Sequence, residues 1–207
     1  MLANVATLGT LPVMAKFFPF YKRYLPSRRI DLPAITGLVF SGGLLLVLAL
    51  LYLLQPHIVR IFGKNNPLFE PYYYTLGLFV ILQGSFLFME LYAWFAGHTI
   101  LANTLKELLF RVLTTGCLLL YWAGWVSFDG FMLLFGLIYL PATVIIVYKV
   151  RTAGGFPITL RLSAITRRLR GKMISLGSFV FLTTISNVAF VVCDTLFLAS
   201  MYNFSKA

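Results

Sequence analysis

Ionisable side chains set inside apolar stretches are where this sequence could do chemistry. Asp194 stands in FVVCDTLFLA, and Thr183, Asn187 and Asp194 share one helical face at i, i+4 and i+11. A carboxylate with amide and hydroxyl neighbours suits a coupling cation, a proton or a sugar hydroxyl. It equally suits a hydrogen bond between helices. Glu90 shares a face with Gln83 and Trp94 at i, i+7 and i+11. It reads either as a functional carboxylate or as an interfacial glutamate paired with a nearby cation. Asn103, Glu107 and Arg111 recur at i, i+4 and i+8. Arg111 matches the oxygens of a lipid phosphate, or it pairs with Glu107 along the helix. Lys16 could contact phosphate or simply snorkel to the interface. An ionisable group at the centre of a membrane helix costs about 2.5–3.5 kcal/mol, so each of these should face a bundle interior or water.

Catalytic patterns do not appear. The sequence has no Walker A, GxSxG or HExxH motif, and its two histidines, His57 and His98, fall at opposite interfaces. No metal, no cofactor and no enzymatic activity are expected. Cys117 and Cys193 both lie in apolar segments and form no CxxC, so they read as buried free thiols.

The elements that must position these residues are membrane helices. Of the 207 residues, 60% are hydrophobic and only 11% are charged, against about 25% charged in soluble domains. Several continuous apolar runs reach the roughly 20 residues that cross a bilayer. Spans are predicted over 32–54, 72–97, 99–125, 131–148 and 174–201. Residues 2–14 are too short for a span and are interrupted by Gly9 and Pro12. They read as the second half of a helix whose beginning lies upstream. Ser41-Gly42-Gly43 should let another helix approach closely, and Asp31 suits the N-cap of the span it precedes. Pro141 should kink its helix.

The net charge of +11 does not read as nucleic-acid binding, because the charge is gathered beside the spans. Loops 16–31, 98–106 and 149–172 fall on one side by alternation and hold thirteen Lys and Arg, as five, one and seven in turn. The opposite loops, 55–71 and 126–130, hold two, Arg60 and Lys64. Cytoplasmic loops carry such an excess, so the first set is expected in the cytoplasm, in contact with anionic membrane lipids. Residues 149–172 are expected to form a basic loop that hinges the chain.

ANVATLGTLPVMAKFFPFY resembles the second span of bacterial polysaccharide flippases of the multidrug/oligosaccharidyl-lipid/polysaccharide exporter superfamily. LYAWFAGHTILANTLKELLFRVLTTGCLLLY resembles a later block, in which Asn103, Lys106-Glu107 and Arg111 stand at an N-x-x-R-E-type pattern with Lys106 replacing Arg. GSFVFLTTISNVAFVVCDTLFLAS is similar to the first span of the second lobe, with Asp194 in the matching place.

The resemblance implies an all-α integral membrane bundle like the first lobe of a two-lobed exporter, with about five full spans and an incomplete N-terminal one. Residues 1–150 would be first-lobe helices, 151–172 a cytoplasmic inter-lobe loop and 173–207 the first helix of a second lobe. The implied activity is movement of lipid-linked oligosaccharide, a polyprenyl-phosphate glycan, across the bacterial cytoplasmic membrane by alternating access, coupled to a cation or proton. The alternatives are a multidrug or cation exporter of the same superfamily, or a membrane-embedded glycosyltransferase or polymerase. The first should carry more acid than base in its cavity. The second should need a large catalytic loop outside the membrane.

Overall fold

The computed structural model describes residues 2–26, 29–62, 71–152 and 162–201. Arg28, Lys64, Glu70 and Arg161, with residues 63–70 of the expected 55–71 loop, lie outside the described residues. Among the described residues every regular element is helical. Four helices are long and apolar enough to cross a membrane: Leu32–Arg60, Tyr73–Phe95, Phe128–Thr152 and Ala164–Val191.

The N-terminal segment is two helices rather than the end of one. α1 (Leu2–Ala6) and α2 (Thr10–Tyr24) are separated where Leu8 and Gly9 both take left-handed backbone. Thr7 and Thr10 hydroxyls donate to the Asn4 and Thr7 carbonyls at 2.7 and 2.6 Å and close the turn. Gly9 is needed twice. Its φ of 71° suits glycine, and a Cβ there would collide with the Gly177 carbonyl.

α3 (Leu32–Phe62) runs a further two turns past the expected span end, through Pro56. The loop predicted from Gln55 is therefore helical as far as Phe62. Of the two central glycines, only Gly43 makes the close approach: a Cβ on it would meet the Ala6 carbonyl, whereas Gly42 faces open space. α4 (Tyr73–Phe95) is the centre of the bundle, packed on α3, α2, α1 and, most extensively, α8. Phe40 and Phe88 stack at 5.2 Å between α3 and α4.

The next helical run is α5 (Thr99–Thr104), a π-helical turn (Leu105–Leu109) and α6 (Phe110–Trp122). Inside one helix, a single π turn is uncommon and tends to fall at functional positions. α7 (Phe128–Gly136) and α8 (Tyr139–Thr152) meet at a break over Leu137–Ile138. Pro141 has no N–H to offer the Leu137 carbonyl and its ring crowds that carbonyl. The kink therefore appears one turn before the proline.

α9 (Ala164–Met201) begins well before the expected span. Ser163 caps it, its Oγ accepting from Thr166 N at 3.2 Å. Arg167, Arg168, Arg170 and Lys172 thus ride on its first turns, while Lys149 and Arg151 end α8. The described parts of the stretch expected to be a basic loop, 149–152 and 162–172, are largely two helix ends. At about 1.5 Å per residue, the 38 residues outrun a hydrocarbon core of about 30 Å, which leaves that basic end outside it. α9 packs mainly on α2 and α1. Both cysteines are free, and neither is buried as expected: Cys117 is half-buried and Cys193 exposed.

Candidate functional site

Two polar assemblies stand out, one in the bundle core and one at its basic end. In the core, Glu90 sits on the buried face of α4 at 4% exposure. Phe86 and Ala93 are buried on the same side of the helix, at i−4 and i+3, while Phe88 and Tyr92 are buried on the other. Lys106 Nζ, on the π turn, lies 3.0 Å from Glu90 Oε1. The chain reverses around His98, and both residues stand eight positions from it. An antiparallel hairpin therefore brings them level. Gln83, one face-repeat before Glu90, hydrogen-bonds the Tyr139 hydroxyl of α8, and Tyr139 feels the charges of both Glu90 and Lys106. Phe110 stacks on Tyr139 with ring centroids 4.9 Å apart.

At the basic end, α2 crosses α9. Asp31, 0% exposed, accepts from Ser163 N at 2.8 Å and from Thr166 Oγ1 at 2.7 Å through Oδ2. Thr166 Oγ1 also meets the Tyr21 hydroxyl at 2.7 Å. Burial pushes the Tyr21 phenol above its usual range; the Thr166 bond opposes this and the Asp31 charge adds to it. Asp31 was expected to cap its own helix. Pro33 removes an N–H that such a cap would use, and the carboxylate serves the N-terminus of α9 instead, where negative charge is favoured. At the opposite end of the bundle Tyr72 donates to Asp129, which holds the Tyr72 phenol above its usual range.

Beside the α2–α9 crossing lies an open groove of about 760 Å³. Lys16, Lys172 and Ser175 supply its polar lining, and Phe17, Phe20, Leu169, Leu176 and Phe179 its apolar walls. No acidic residue lines it.

The other residues singled out in the sequence are spread over the surface. Arg111 and Glu107 pair at 2.9 Å along the helix, with side chains 77% and 63% exposed. Asn103 is exposed as well, so this stripe faces outward instead of entering the bundle. Thr183 is exposed and its hydroxyl bonds back to the Phe179 carbonyl at 3.0 Å. Asp194 is exposed on the same helix. Asn187 joins neither: it lines a separate groove with Asn4, Thr7 and Thr184. Their common spacing does not gather them into one enclosed site.

Sequence reasoning passed over Tyr139, Tyr21 and Thr166, and named Lys106 without linking it to Glu90, for which a nearby cation was one of the two readings. The hairpin register about His98 could have supplied that link. Among the described residues no group of three or more His, Cys, Asp or Glu could hold a metal ion. No protein-family description, curated protein or solved structure matches the chain significantly.

Proposed function

We propose that the chain belongs to a transporter that moves lipid-linked oligosaccharide across a bacterial cytoplasmic membrane. The groove at the α2–α9 crossing carries this reading. It joins two lysines and a hydroxyl to phenyl and leucine walls, with no acid lining it. A polyprenyl-pyrophosphate glycan has the complementary form: a compact anion at the junction of an apolar chain and a polar head. Ammonium groups bind phosphate as point charges, and their attraction strengthens where the membrane lowers the local dielectric.

The orientation follows from charge. The Asp31, Thr166 and Tyr21 contacts draw the ends of α2, α3 and α9 together, so the basic turns beside them share one end of the bundle. By the positive-inside bias this end faces the cytoplasm, where such lipids would be collected and where anionic membrane lipids would hold the exposed arginines. Five spans, with Thr99–Trp122 as the fifth, and a first-lobe role complete the proposal.

The test is equilibrium binding of a polyprenyl-pyrophosphate oligosaccharide to the chain in nanodiscs. Lys16→Gln/Lys172→Gln should weaken binding at least tenfold. Unchanged binding in that variant, or preferential binding of an organic cation by the unmodified chain, counts against the reading. The second outcome favours an exporter of cations.

A further inference from the structure

We infer that Glu90 is a proton-binding site whose occupancy is exchanged against Lys106. Glu90 is fixed in the core of α4, while its counter-charge is retractable. The Lys106 side chain is 44% exposed and reaches inward from the π turn to within 3.0 Å of Oε1. The helix that continues from that turn, α6, buries none of its residues. Leu105 anchors the π turn in the core at 7% exposure, so it is the long, flexible Lys106 side chain that can swing out to water and back while the helices stay packed.

Charge balance then dictates the chemistry. With Lys106 engaged, the buried carboxylate is neutralised by the ammonium. With Lys106 withdrawn into water, an uncompensated anion would remain in an apolar site, which is the costly arrangement. The carboxylate instead takes a proton from water, an O–H bond forms on Glu90, and hydroxide is left to the solvent. When Lys106 returns, the O–H bond breaks, its electron pair stays on the carboxylate and the proton leaves to water. Among the described residues Lys106 is the cation paired with Glu90. α4 contributes Gln83 and α8 contributes Tyr139, bonded to each other. Glu107 and Arg111 pair with each other on the exposed face. His98, at the hairpin turn, has its Nε2 buried without a partner among the described residues. A proton needs only the single carboxylate oxygen that Glu90 presents to Lys106 at 3.0 Å.

What the proton drives rests on the transporter reading, but its presence is read without substrate. The measurement is infrared difference spectroscopy of the chain in nanodiscs, following the protonated-carboxyl band at neutral pH. Lys106→Met should show a band absent from the unmodified chain and from Glu90→Gln/Lys106→Met. Lys106→Arg, which keeps the charge, should show none. A folded Lys106→Met without a Glu90-dependent band overturns the inference. If Lys106→Met does not fold, acidification of the unmodified chain reads the same group: a band must grow that Glu90→Gln lacks, and its absence is equally fatal. Loss of glycan binding with this band intact counts against the transport reading alone.

Discussion

Thr166 Oγ1 lies 2.7 Å from Asp31 Oδ2, joining the first turns of two helices across 135 positions of chain. The Ser163 backbone N–H adds a second donor to the same oxygen at 2.8 Å. Tyr21 extends the network to α2 through Thr166. α9 otherwise rests mainly on α2 and α1, so these few bonds fix where it begins.

Asp31→Ala should release that end of α9. Hydrogen bonds to a charged group contribute about 1.5–3 kcal/mol, and two buried donors would lose their acceptor. A loss of about 2–3 kcal/mol in unfolding free energy in mixed micelles is expected, with faster proteolysis between α8 and α9. Asp31→Asn, which keeps an acceptor, should cost less. Equal stability for Asp31→Ala and the unmodified chain would contradict this role.

The two central glycines of α3 should separate cleanly. Gly43→Leu must push α1 away, because even a Cβ there meets the Ala6 carbonyl; a cost of about 1–3 kcal/mol is expected for such overpacking. Gly42→Ala faces open space and should stabilise its helix by about 0.5–1 kcal/mol. Thermal unfolding of the two variants in detergent is the check, and a reversed order would place α1 elsewhere.

The two ion pairs should differ in the same way. A double-mutant cycle over Glu107 and Arg111 should return only about 0.3–0.5 kcal/mol, as exposed helix pairs do. The cycle over Glu90 and Lys106 should return more, since a buried pair is screened much less than an exposed one and losing Lys106 adds the cost of protonating Glu90. Equal coupling energies would mean that Glu90 is wetter than its burial implies.

Asp194→Asn should change stability by no more than about 0.5 kcal/mol, as expected of an exposed position outside a polar network. A larger loss in chemical denaturation would show that Asp194 is held by a partner.

Much of this architecture is legible in local sequence. Apolar length gives four of the five expected spans as helices long enough to cross a membrane, the i, i+4 spacing gives the Glu107–Arg111 pair, and Pro141 gives the kink to within one turn. What escapes is set by distance along the chain or by rules in competition. Asp31 looks like a local cap because its partner Thr166 is remote in sequence and because Pro33 alone hints that its own helix lacks a donor. Residues 164–172 read as a loop from their charge, yet Arg, Leu and Lys are good helix formers and Ser163 supplies a start. Thr183, Asn187 and Asp194 share a spacing, but spacing identifies a face and says nothing of what covers it. The π turn leaves no mark in the residue pattern, and only the equal spacing of Glu90 and Lys106 from His98 points to their pairing.

The most direct measurement is photo-crosslinking with a polyprenyl-pyrophosphate oligosaccharide that carries its reactive group next to the pyrophosphate. The account predicts labelled peptides from Lys16–Phe20 of α2 and Leu169–Phe179 of α9, with labelling lost in Lys16→Gln/Lys172→Gln and unaffected by excess neutral phospholipid. Labelling centred on other helices, or undiminished in that variant, would contradict it.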